Sequence, residues 1–273
     1  MIEIKNLDFG YKNQSVFKNI SLEFEKGNIY GLLGENGVGK TTLLKLISGL
    51  QKPEAGTCTV DGATAFDRLP SFLQKMYFIS EDFAIPEGTP LHYVQSIGVF
   101  YPNFDESLFL QLCQEMEVDP NRKYGQMSFG QQKKCLIATA LSLNTDYLLL
   151  DEPTNGLDIP SKSLFRKVIA KHSTDDRTII ISTHQVKDVE NLIDPIVILN
   201  QDEVLLKATF QQITEKLYFD YGTSVLEGAL YSDMIPGGCV NVMRNTEGLE
   251  SKVSIEALFN AVMKNKQEIK NMF

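Results

Sequence analysis

The short run Ile29-Tyr30-Gly31-Leu32-Leu33, followed at once by Gly34-Glu35-Asn36-Gly37-Val38-Gly39-Lys40-Thr41-Thr42, constrains this 273-residue chain more than any other segment. Five uncharged residues suit a strand buried on both faces of a parallel sheet. The loop that follows satisfies GxxxxGK[ST]. Leu43, Leu44, Leu46 and Ile47 then continue as a helix that ends near Gly49, with Pro53 beyond. Glycines let the backbone curl until consecutive N–H groups point at phosphate oxygens. A helix beginning near Lys40 adds the positive end of its dipole. Lys40 supplies a mobile point charge for the β- and γ-phosphates, and the Thr41 hydroxyl is suited to Mg²⁺. The loop is expected to hold a nucleoside triphosphate.

A second element fits the first. Tyr147-Leu148-Leu149-Leu150-Asp151-Glu152 is an apolar strand ending in two carboxylates. Adjacent strand residues point to opposite faces, but where the strand ends the chain turns and both acids can approach one cleft. Open parallel sheets bind ligands at that carboxyl edge. Asp151 is placed to hold Mg²⁺ through water, leaving Glu152 free to polarise or orient an attacking water.

Between the two lies Met127-Ser128-Phe129-Gly130-Gln131-Gln132, which opens a helix about twenty residues before the acidic pair. With the other two motifs, it gives residues 1–209 a resemblance to the ATP-binding cassette family, whose signature is usually written LSGGQ. The resemblance implies a P-loop NTPase core of class α/β. Its mixed or parallel sheet is flanked by helices, with an antiparallel β part at the N-terminus and an inserted helical subdomain at about 87–145. A small accessory region, 210–273, completes the chain. The cofactors implied are ATP and Mg²⁺.

Further residues take roles by the same resemblance. Tyr11 corresponds to the aromatic that stacks on adenine, and Val16 to a second apolar contact. Ser128, Gly130 and Gln131 correspond to the residues that bind the γ-phosphate held by an opposite subunit. Asp158, in Pro153-Thr154-Asn155-Gly156-Leu157-Asp158, lies in the loop linking two sites across a dimer. His184, in Ser182-Thr183-His184, matches the switch histidine that positions water. Two departures stand out. Glu81, in Tyr77-Phe78-Ile79-Ser80-Glu81-Asp82, occupies the place of a metal-ligating glutamine. In the signature, Met127 and Phe129 replace leucine and glycine.

The remaining composition narrows the class. No apolar run approaches the roughly 18–20 residues that span a bilayer, so the chain is expected not to cross a membrane by itself. A net charge of −9 disfavours sequence-independent nucleic-acid binding, and no nucleic-acid partner is expected. Four scattered cysteines without metal spacing read as buried free thiols.

The coarse pattern is strand-rich at the start and helical in the middle, where Thr89-Pro90, Asp105, about Gln131 and Ser161 mark expected helix starts. It turns hairpin-like at 196–206. Beyond that, Cys239–Met243 reads as a strand and Ser254 as a cap for a helix carrying Ile255, Leu258, Phe259 and Val262. The family resemblance implies a head-to-tail dimer, with itself or with a second ATPase, and a separately encoded membrane permease. It implies a cytoplasmic location on the inner face of the membrane, and export as the direction. A soluble ABC ATPase without transport, or a regulatory ATP-binding module, is the alternative.

Overall fold

The computed structural model describes residues 1–12 and 14–273. Two long strands, β1 (Ile2–Tyr11) and β2 (Gln14–Phe24), pair antiparallel. β3 (Ile29–Leu33) runs through the glycine loop into α1 (Lys40–Ile47). β4 (Ala55–Val60) pairs antiparallel with β1 and with the short β5 (Ala63–Thr64), giving a four-stranded sheet ordered β2-β1-β4-β5. After α2 (Pro70–Leu73) comes β6 (Met76–Ile79). Three helices follow, α3 (Pro90–Gly98), α4 (Glu106–Glu115) and α5 (Phe129–Ser142).

The chain then alternates through β7 (Tyr147–Asp151), α6 (Ile159–Lys171), β8 (Thr178–Thr183), β9 (Ile196–Asn200) and β10 (Glu203–Ala208). These strands complete a six-stranded sheet ordered β10-β9-β3-β8-β7-β6, parallel except for β10. The remainder is α7 (Phe210–Lys216), then β11 (Leu217–Gly222), β12 (Tyr231–Ile235) and β13 (Gly238–Arg244) in an antiparallel sheet ordered β11-β13-β12. Helices α8 (Ile255–Lys264) and α9 (Lys266–Lys270) end it.

The uninterrupted apolar runs have a direct cause. Leu148 and Leu150 of β7, and Ile179 and Ile181 of β8, join a core that includes α4, α5 and α6. Their neighbours Tyr147, Leu149 and Ile180 join a second core shared with α1 and the antiparallel sheet. Alternate residues of a strand face opposite ways, so a sheet sandwiched on both sides needs apolar residues at every position. The larger core extends without a break into the C-terminal region, through Ile213, Phe219, Val242, Leu258 and Val262.

Helix starts follow side-chain caps. Thr89, Asp105 and Ser254 each accept from a backbone N–H three residues on. The helix expected to open at the signature does so, and one helix begins earlier than the expected Ser161. Ser128 caps α5 in a reciprocal box with Gln131, and Asp158 caps α6 by accepting from Ser161 N. The strand expected at Cys239–Met243 lies within β13, and all four cysteines are buried thiols.

This topology brings the carboxyl ends of β3, β8 and β7 side by side, with Leu33 opposite Thr183 and Asp151 opposite Ser182. Leu149 is fully buried between the sheets. Leu149→Ala is expected to lower stability by about 2–5 kcal/mol, read from the shift in urea denaturation; a change below about 1 kcal/mol would mean that this layer is not tightly packed.

Candidate active site

The loop leaving β3 is built on glycine geometry. Gly37 and Gly39 have φ of 85° and 105°, a region that side chains rarely occupy. At Gly39 a Cβ would also lie 2.8 Å from Val16 and 2.7 Å from Phe17. The Lys40 ammonium folds back across the loop and donates to the carbonyls of Gly34 (2.8 Å) and Glu35 (3.1 Å). Burial pushes its pKa down, opposed by the charges of Glu152, Asp151 and Glu81. Val38 is buried against Gly34, which fixes the near side of the curl.

Asp151 ends β7 and is 1% exposed. Its Oδ2 accepts from Thr41 Oγ1 at 2.7 Å, and its Oδ1 accepts from Ser182 Oγ of the neighbouring strand. A hydroxyl and a carboxylate already in contact are hard oxygen donors of the kind Mg²⁺ selects, so the residues present fit that ion.

Glu152 has φ of 46°, in the left-handed region, which is the backbone solution to placing two consecutive acids in one cleft. Its carboxylate is held from the end of β8. Thr183 Oγ1 donates to Oε2 at 3.1 Å, while the His184 backbone N (3.0 Å) and ring Nδ1 (2.7 Å) contact Oε1. The ring contact as a donor requires the proton on Nδ1 and leaves Nε2 for other partners.

Lys40, Thr41, Glu152 and His184 share a cavity of about 420 Å³ lined by Tyr11, Gln14, Val16, Asn36, Gly37, Gly39, Lys40, Thr41, Thr42, Glu81, Glu152 and His184, while Asp151 is buried outside its lining. Tyr11 stands at its mouth, 43% exposed, edge-on to Phe9 at 4.9 Å and with its hydroxyl 3.5 Å from Thr42 Oγ1. Eleven of the residues singled out from the sequence therefore meet in one place. Ser128, Gly130, Gln131 and Asp158 do not line it. Ser128 and Asp158 act locally as helix caps, and Gly130 faces Gly156 and Leu157.

Several residues escaped the sequence reading. Ser182 and Thr183 stand in the sequence only as neighbours of His184, yet their hydroxyls anchor the two acids. Asn155 Nδ2 donates to Glu81 Oε1 at 2.8 Å, joining two loops far apart in sequence. Lys133, in the polar run Gln131-Gln132-Lys133-Lys134 near the start of α5, is fully buried, and the pKa of its ammonium is pushed down to about 8 by burial, against the opposing charges of Glu81, Glu152 and Asp151. A lysine on a helix's buried face was the one available signal. Phe129 adopts a specific place: it stacks on Phe83 at 5.3 Å and leaves no room for a Cβ on Gly156.

The sequence model of the ABC transporter family matches residues 17–155. The ABC transporter ATP-binding protein NatA of Bacillus subtilis (strain 168) is 32% identical over 205 residues, which cover 72% of this chain and 83% of that protein. The high-affinity zinc uptake system ATP-binding protein ZnuC of the same organism is 30% identical over 217 residues, covering 74% of this chain and 92% of that one. A solved structure described as the ATP binding subunit of an ABC transporter superposes with a TM-score of 0.71 at 25% identity, covering 78% of this chain and 91% of that one.

The Ser182 hydroxyl is one of two that satisfy the buried Asp151 carboxylate. Ser182→Ala is expected to destabilise the fold by about 1.5–3 kcal/mol at neutral pH, because a buried charge loses a donor. Chemical denaturation of the two proteins measures it, and equal midpoints would show that Asp151 is held without Ser182.

Proposed function

The chain belongs to the ABC transporter family as an ATP-binding subunit, and from that premise we propose that it hydrolyses ATP to drive a separately encoded membrane permease. The observation that carries the chemistry is the shared cavity, in which Lys40, Thr41 and the glycine loop face Glu152 and His184. In this reading the loop amides and Lys40 neutralise the phosphates, and Tyr11 with Val16 receives the base. Aromatic stacking of this kind contributes about 1–3 kcal/mol and tolerates many bases. Thr41, Asp151 and Glu81 would hold Mg²⁺, whose charge stabilises the phosphate oxygens.

Glu152 orients the attacking water and takes its proton. Its three donors from Thr183 and His184 fix the carboxylate before substrate arrives. The same proton on His184 Nδ1 leaves Nε2 available toward the γ-phosphate.

We further propose that Ser128, Gly130, Gln131 and Asp158 complete the site of a second subunit across a head-to-tail dimer. This reading is supported by their lying outside their own chain's cavity while Ser128 and Gln131 frame a helix N-terminus, which favours anions. ATP then closes the dimer and hydrolysis releases it. Residues 210–273 act as an accessory cap on the sheet, supported by the apolar core they share with it.

The site of action proposed is the inner face of the membrane; among the described residues no helix is long and apolar enough to cross one. Export is the direction proposed. The 30% identity to an uptake-system subunit favours import as the second reading. Transport assays in inverted vesicles carrying the permease separate the two.

Two outcomes test the catalytic assignment. Glu152→Gln is expected to bind ATP within about threefold of the parent protein while turning over about 10²–10⁴-fold more slowly, and to run as a dimer with ATP on size exclusion. Near-normal turnover would remove Glu152 from its role. Chelation of divalent cations is expected to abolish phosphate release, and restoring Mg²⁺ to recover it; full activity in the chelator would exclude the metal from the reaction.

A further inference from the structure

Lys133 lies in the second turn of α5, at 0% exposure, although an ammonium is among the costliest groups to remove from water. Its partners make the cost informative. Nζ donates to the carbonyl of Glu152 at 2.8 Å and to the carbonyl of Asn155 at 2.9 Å, and lies 5.5 Å from the centre of the Phe129 ring. Those carbonyls are the two ends of one tight turn, closed by Asn155 N donating to Glu152 O at 3.2 Å. The turn begins at the residue whose left-handed backbone aims the Glu152 side chain into the cavity.

The contacts form a closed circuit. Asn155 Nδ2 reaches Glu81 at 2.8 Å. Two residues beyond Glu81, Phe83 stacks on Phe129 at 5.3 Å with a 19° tilt, and Phe129 covers both Lys133 and Gly156. A purely structural residue here would be better served by an apolar side chain, since a buried cation without a carboxylate partner gains little for stability. An ammonium, in contrast, can grip two carbonyls at once and transmit a displacement of its helix to both.

We propose that Lys133 is a positioning residue for ATP hydrolysis, tying the Glu152–Asn155 turn to the start of α5 so that displacement of Ser128–Gln131 or of Glu81–Phe83 redirects the Glu152 carboxylate. This inference rests on the ATPase reading above and extends it to residues that touch neither nucleotide nor metal. Phe129, the bulky residue in place of the family's glycine, is the apolar lid that keeps water from the ammonium.

The test uses the full chain with MgATP and compares the parent protein with Lys133→Met and Lys133→Arg, measuring kcat, KM, equilibrium ATP affinity and Tm. Lys133→Met is expected to lower kcat about tenfold or more while KM and ATP affinity stay within about threefold. Lys133→Arg, which can donate to the same carbonyls, is expected to recover kcat to within about threefold of the parent. An unchanged kcat in Lys133→Met, a loss that merely follows lost ATP affinity, or no difference between the two variants would overturn the proposal. Should Lys133→Met not fold, Phe129→Ala takes its place: a fall in kcat of about threefold or more at constant KM supports the clamp, and unchanged kcat overturns it. A parent protein that neither binds nor hydrolyses ATP would instead remove the reading on which the clamp stands.

Discussion

A buried carboxylate organises this molecule. Asp151 sits almost fully out of water at the end of β7, where an unpaired charge would cost several kcal/mol. Thr41 from the start of α1 and Ser182 from the end of β8 supply its hydrogen bonds. Those two hydroxyls come from elements separated by more than a hundred residues of chain, so the carboxylate is satisfied only when β3, β8 and β7 stand in their observed order. Fold and site are thereby specified by the same contact. The strand order that buries the charge also brings the phosphate loop against the acids.

Around that anchor the charges are balanced in layers. Lys40 faces the cavity with its ammonium on loop carbonyls, where burial disfavours the charged form and three acids favour it. Such a cation is drawn readily to a polyanion, because the carbonyls that hold it are weaker partners than phosphate oxygens. Glu152 is turned toward Thr183 and His184, so its carboxylate has a defined direction in place of a free rotamer. Preorganisation of this kind is what makes fixed dipoles effective at the moment charge moves.

The positions where the sequence departs from its family's pattern are structurally consistent with each other. Glu81 receives a hydrogen bond from Asn155, and Phe129 occupies the space above Gly156, which itself has φ of 77°. Phe83 completes the pair. A carboxylate in place of an amide and a phenyl ring in place of a glycine therefore belong to one linked arrangement. The C-terminal region is similarly tied in. Lys187, three residues after His184, pairs with Glu256 of α8 at 2.8 Å, and residues 184–188 line a cavity of about 400 Å³ together with Glu256, Phe259 and Asn260 of that helix.

Much of this was legible in the chain itself. The glycine loop, the acidic pair, the signature helix and their order required only local rules: glycine for positive φ, apolar runs for doubly covered strands, Ser, Thr or Asp for caps. Tyr11, Glu81 and His184 were legible by resemblance, and the structure brings all three to one cavity. The left-handed backbone at Glu152, the hydroxyls beneath Asp151, the Asn155–Glu81 bond and the Lys133 clamp were not. Each depends on strands or loops that meet only after the sheet has formed, and on side chains whose types are ordinary anywhere else. Sequence by itself determined which chemistry is present, because local conformational preference and periodicity act over a few residues. Tertiary structure decided how the groups are aimed, because direction is set by partners that the chain brings together from far apart.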